Sequence, residues 1–204
     1  MTVPLPPLPP MPGEGYRPGG PSLVDLVDRE HRELLDLADR VTGPDAAAQP
    51  PGKVVEVLTA VVSRHLSAEE QYLFPAVRAA VPGAGAAVDR EVGAAVELSA
   101  ALKALTGPPD PALADVADRL RRHVAATAAL LASLREVATP AELIRLGNRW
   151  EIAEEAAPTR PHPGMPASPP WNRIVEPAVG VVDKVRDAVT GRPTHASDLL
   201  PPGE

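Results

Sequence analysis

The chain has 204 residues, 44% of them hydrophobic but only 2% aromatic, with a net charge of −7 and no cysteine. This is room for one domain of ordinary size plus extensions, with a core built from Ala, Val and Leu, which suits packed helices better than a β-sandwich. The acidic balance argues against a nucleic-acid binder or a polybasic membrane anchor. The missing cysteines exclude disulfides, zinc ribbons, iron–sulfur clusters and thiolate catalysis, and no apolar run is long enough to span a bilayer.

Residues 1–21, which include PLPPLPP, read as a disordered leader of partly polyproline II character. Such a run has the form that docks in an SH3-like groove, although a solvated tail is the plainer reading. It lacks a basic n-region and its prolines forbid a helical h-region, so no signal peptide is read there and the expected location is the cytoplasm. Ser22 opens the first helix with Asp25 in capping-box position, and Leu23, Val27, Leu34, Ala38 and Val41 form a 3.6-residue stripe that also carries His31. A second helix is predicted from about Lys53 to Ala80, with the stripe Leu58, Val61, Val62, His65, Glu69, Leu73 and a kink or break near Pro75. A third spans about Ala86 to Leu105. A fourth spans about Ala112 to Val137 with the stripe Val116, Leu120, His123, Thr127, Leu130, Leu134.

Four amphipathic helices with short Gly/Pro links predict an all-α fold, an antiparallel up-down four-helix bundle over residues 22–137. A C-terminal helical extension follows over 138–191, and 192–204 is read as a disordered tail. Thr139, Pro140 and Glu142 start a helix reaching about Ala157; PTRPHPGMPASPP is a non-helical connector. A last helix carries Ile174, Ala178, Val182, Val185 and Val189 and stops at Gly191. This arm is expected to lie on the bundle or on a second subunit, anchored by Trp150 and Trp171.

The second and fourth helices superpose in sequence: RHLSAEEQYL (64–73) on RHVAATAALL (122–131), with His65 on His123 and Glu69 on Thr127. The first and third align as HRELLDLADRV (31–41) on AVELSAALKAL (95–105), with Leu34 on Leu98 and His31 on Ala95. The chain therefore reads as two copies of a helical hairpin, the second of which keeps one histidine.

His65 and Glu69, four apart, lie one above the other on a helical face. A lone histidine on an apolar stripe is ordinarily a satisfied core residue. Three on three interior stripes, one paired with a glutamate, form the set from which bundles build metal sites, because a divalent cation compensates buried carboxylate and imidazole groups together. Glu91, one turn before Ala95, is either a further carboxylate or a surface charge. Tyr72 reads as core packing or as a neighbour of the site. Glu30 and Glu70 read as solvated, and His162 and His195 as structural or incidental rather than as ligands.

RHLSAEEQYLFPAV resembles the H-x-x-x-E-E…L-F-P segment of hemerythrin-like, HHE cation-binding proteins, and REHRELL resembles their first-helix histidine segment. The resemblance covers about residues 22–137; the Arg-Trp-Glu and Thr-Arg-Pro-His-Pro segments are similar to a C-terminal extension of some bacterial relatives. It implies a four-helix bundle that holds two carboxylate-bridged irons and binds dioxygen, nitric oxide or peroxide. The ligands it carries over are His31, His65, Glu69 and His123. The third-helix histidine positions hold Ala95 and Ser99, and the fourth-helix carboxylate position holds Thr127 or Ala128. These departures mostly strip the second metal. The expected site is therefore a single metal held by two histidines, one glutamate and His123, with iron favoured and manganese or zinc admissible. The expected partner is a small diatomic ligand or peroxide, with no nucleic acid and no membrane, plus a protein partner or a second copy through the C-terminal arm. No Ser/His/Asp or phosphate-loop pattern points to a hydrolase or kinase. The competing reading is a metal-free bundle kept as a scaffold or partner-binding module.

Overall fold

The computed structural model describes residues 18–43, 51–105, 111–163 and 171–199, with backbone alone at 51 and 171–178. All regular structure among them is helical: α1 (Leu23–Thr42), α2 (Pro51–Ala68), a π-helical turn (Glu69–Leu73), α3 (Phe74–Ala80), α4 (Gly85–Ala104), α5 (Leu113–Val137), α6 (Pro140–Ala156), α7 (Trp171–Thr190) and a final 3₁₀ turn (Ala196–Leu199). The PLPPLPP leader lies outside the described residues. None of the described helices is long and apolar enough to cross a membrane.

Local chemistry sets the helix starts. Ser22 and Asp25 close a capping box at the head of α1, and Thr139 and Glu142 close another at the head of α6, with Pro140 at its first position. Gly191, with φ of +63°, ends α7. The long second helix is not broken at Pro75. Proline has no N–H to give Gln71, and its ring would crowd that carbonyl. The chain adjusts upstream by widening to the π turn, in which the Phe74 N–H reaches the Glu69 carbonyl, and then continues as α3.

The bundle consists of α1, the α2–α3 rod, α4 and α5; α1 packs on α2 and α5, and α5 packs on α4. Its core falls into two apolar clusters. One contains Leu34, Leu58, Val61, Leu98, Val116 and Leu120. The other contains Leu23, Val27, Leu73, Phe74, Leu130 and Trp150. His31, His65, Glu69, His123 and Thr127 lie along the helices between the two, as a buried polar layer.

The arm begins with α6, which lies across α1 and α2. The approach is close because Gly147 has no side chain: a Cβ there would collide with the Pro21 carbonyl and stand 3.0 Å from the Leu23 nitrogen. Trp150 is fully buried and anchors α6, as expected. Burying a tryptophan removes roughly 150–250 Å² from water, a gross gain of about 4–6 kcal/mol at 25 cal/mol per Å². Trp171, Ile174 and Ala178 lie outside the described side chains.

The expected apolar face of α7 is not turned inward. Val182, Val185 and Val189 are 65%, 60% and 82% exposed, whereas Asp183 and Asp187 are 4% and 5% exposed. The reason is ionic. Asp187 accepts from the Thr159 hydroxyl and from Arg160 Nη2 (2.5 Å), while Asp183 accepts from the Arg160 backbone N–H (3.1 Å) and faces His162 Nε2 at 3.0 Å. The Thr-Arg-Pro-His-Pro connector thus supplies the partners that draw the polar side of α7 inward, and His162 takes the structural one of its two expected roles. Residues 192–199 run back over α2, where Arg64 Nη2 donates to the Thr194 carbonyl at 2.8 Å and lies 3.5 Å from His195 Nδ1.

Candidate metal centre

The buried polar side chains of the central layer come from α1, α2, the π turn and α5. His31 comes from α1, His65 from the last turn of α2, Glu69 from the first residue of the π turn, and His123 and Thr127 from α5. At the matching level of α4 stands Ala95, 1% exposed. His65, Glu69 and Thr127 are 0% exposed, His123 2% and His31 5%. The paired positions of the two hairpins therefore share burial, His65 with His123 and Glu69 with Thr127, as the repeat requires. Arg64 and Arg122 do not share it: Arg64 is buried under the C-terminal segment and Arg122 is exposed.

The donor atoms of His31, His65 and Glu69 all lie within 4.8 Å of one another. Glu69 ties in His123, whose Nε2 is 2.6 Å from Glu69 Oε2. On its other oxygen, Glu69 Oε1 is 3.2 Å from His65 Nε2. These two atoms attract by charge but are not aligned for a hydrogen bond, and both are buried without a hydrogen-bond partner. Two orphaned candidate ligand atoms side by side in a buried layer are the feature a metal ion would relieve. The His31 and His65 rings meet edge to face, 5.1 Å between centroids. Thr127, where a fourth-helix carboxylate is expected, instead donates to the His123 carbonyl at 3.0 Å and stands 3.3 Å from His31 Nε2.

Charge in this layer is balanced internally. Burial disfavours a charged His65, but Glu69 and Glu30 outweigh it and push the imidazole up to about 10. Burial likewise opposes His123, and Glu69 with Glu91 raises it to about 9. Glu69 is disfavoured as an anion by burial, yet His123 and His65 hold it well below the usual carboxylate range. His31 is pushed down to about 4 by burial and by the charge on His65, so it is neutral at pH 7. Without metal, two imidazoliums face Glu69 and Glu30.

Glu30 is a correction to the sequence reading. It is 5% exposed rather than solvated, with Oε2 2.9 Å from His65 Nδ1 and Oε1 accepting from Trp150 Nε1 at 2.8 Å. One position before His31, it is rotated away from the bundle axis, and on a lone bundle it would face water; α6 covers it. Glu154, one turn beyond Trp150, adds a second carboxyl, pushed up to about 7 by burial and by Glu30. Glu91 is between its two expected roles: its side chain is 17% exposed, with Oε2 3.7 Å from His123 Nδ1, beyond hydrogen-bond reach. Tyr72 packs half-buried against the second apolar cluster, and Glu70 is half-buried.

The family model described as the hemerythrin HHE cation-binding domain matches residues 22–137. The chain belongs to the hemerythrin HHE family. Comparisons with curated proteins and with solved structures return no match. The hemerythrin domain coincides with α1 through α5, so α6 and α7 lie beyond it. Membership implies a cation site, and the buried layer supplies a donor set that fits one.

Proposed function

We propose that the bundle holds one metal ion, iron in preference to manganese or zinc, and that it binds or senses dioxygen, nitric oxide or peroxide or handles iron. The observation that carries this is the pair of orphaned buried atoms, His65 Nε2 and Glu69 Oε1, beside His31. His31, His65 and Glu69 would hold the ion, with His123 as a fourth ligand reached through the same glutamate. Two histidines and a carboxylate with room for further ligands suit Fe(II). Bound iron would supply Lewis-acid and one-electron chemistry toward a small ligand. The chain's own residues exclude water through the two apolar clusters, and the π turn fixes where Glu69 points. Ala95 and Thr127 support one ion rather than two, because neither side chain replaces an imidazole or a carboxylate.

A second reading, a metal-free bundle serving as a scaffold, draws on the hydrogen bonds and charge pairs that already join His65, Glu30, Glu69 and His123. The valine face of α7 supports a contact with a protein partner or a second copy under either reading. The discriminating experiment loads the protein anaerobically with Fe(II) and adds nitric oxide, dioxygen or peroxide while recording the absorption spectrum. New bands in the wild type that are missing from His65→Ala support the metal reading. Identical spectra of the two favour the scaffold.

A further inference from the structure

Which nitrogen His65 presents to the site is decided by Glu30 of α1, itself held by Trp150 of α6. Glu30 holds His65 Nδ1 with one oxygen and the Trp150 indole N–H with the other. Glu30 Oε2 accepts from His65 Nδ1, which keeps its proton, so the orphaned Nε2 is the atom that can turn to a ligand once its own proton leaves. The Trp150 ring also meets the His65 ring at 5.6 Å and 68°, which restrains its rotation. A buried tryptophan with a satisfied N–H is by itself an ordinary anchor. Here its acceptor is the carboxylate that orients a candidate ligand.

We infer that α6, outside the hemerythrin domain, is a working part of the metal centre: Trp150, through Glu30, positions His65 and fixes its tautomer. Glu30 and Trp150 are then positioning residues. The inference rests on the single-metal reading above. Outer carboxylate partners of this kind commonly govern metal affinity by about 10–100-fold.

Glu30→Gln gives the test, because an amide has one acceptor oxygen and here faces two N–H donors. With its oxygen toward His65, its NH₂ opposes the Trp150 N–H. With the amide turned, His65 accepts at Nδ1 and its proton moves to Nε2, which blocks the ligand atom. Either arrangement weakens metal binding. Adding Trp150→Phe removes the opposing N–H and frees the amide oxygen for His65, so the double variant should bind better than Glu30→Gln alone. Co(II) is the probe, with affinity from anaerobic chelator competition and the ligand field from its visible spectrum. Glu30→Gln should lose about 10–100-fold in affinity and shift the bands. Glu30→Gln/Trp150→Phe should recover about tenfold and return toward the wild-type spectrum, the size of one hydrogen-bond conflict relieved. Trp150→Phe alone, which keeps the buried ring, should fold and should shift the spectrum.

Additive losses, with the double variant no better than the single, would show an ordinary packing role and overturn the inference. So would unchanged Co(II) affinity and spectrum in Glu30→Gln, or in Trp150→Phe should Glu30→Gln fail to fold. If the wild type binds Co(II), His65→Ala does not, and the positioning variants match wild type, the positioning role alone falls. A wild type that binds no Co(II) overturns the inference and the metal reading together.

Discussion

Metal binding should release two protons per ion. In the metal-free layer His65 lies at about 10 and His123 at about 9, while His31, at about 4, is already neutral at pH 7. Each charged imidazole must deprotonate before its nitrogen can ligate. Exchanging two protons for one divalent cation leaves the charge of the buried layer unchanged, so no additional charge is buried. Between pH 5.5 and 7.5 each displaced proton raises the binding constant about tenfold per pH unit, which is about 1.4 kcal/mol. Two protons over two units give about a ten-thousandfold rise. If His65 alone ligates and His123 keeps its proton on Glu69, the rise is about a hundredfold. Chelator competition with Zn(II) or Co(II) at several pH values, corrected for the chelator's own protonation, measures the slope. A slope near two assigns His123 as a ligand and a slope near one excludes it. A flat profile would refute the charge arrangement derived from the layer.

Other outcomes follow from the same structure. The metal-free protein should lose stability as pH rises from 7 toward 10, because His65 and His123 lie above their ordinary value of 6.5: their contribution is complete below 6.5 and vanishes through about 9 to 10. His31 has the opposite sign and removes stability as pH falls from 6.5 toward 4, but Glu154, raised to about 7, offsets it over about 4.5–6.5, so thermal melts should be level there and fall above pH 7. Gly147→Ala should cost about 1–3 kcal/mol in denaturant unfolding, since the new methyl meets the backbone of residues 21–23, and no cost would contradict the close docking of α6. Val185→Lys, at a position 60% exposed, should change stability by less than about 0.5 kcal/mol; a larger loss would mean that the valine face is covered. Sedimentation of that variant against wild type then reads whether the same face joins two copies.

The bundle was legible in the sequence because its signals are local and periodic. Ser22 with Asp25 and Thr139 with Glu142 marked helix starts by chemistry that needs no tertiary partner. The α1, α2 and α5 stripes marked their buried faces, and His31, His65, Glu69 and His123 were found because they interrupt those stripes. What stayed hidden depends on contacts between distant segments. Glu30 is off the stripe and is buried only because α6, 120 residues away at Trp150, lies over it. The inward face of α7 follows Asp183 and Asp187 rather than its valines, since their partners sit on an aperiodic connector. Pro75 announced a disturbance, but the adjustment falls at Glu69–Leu73, where the hydrogen bonds it would have broken begin.

The most direct test of the central claim is the metal content of anaerobically purified protein by elemental analysis, wild type beside His65→Ala. One ion per chain in the wild type and none in the variant is the predicted result. Two ions per chain would contradict the single-metal reading of Ala95 and Thr127. No metal in the wild type, even after anaerobic reconstitution with Fe(II), Mn(II) and Zn(II), would contradict the claim that the His31–His65–Glu69 layer is a metal centre.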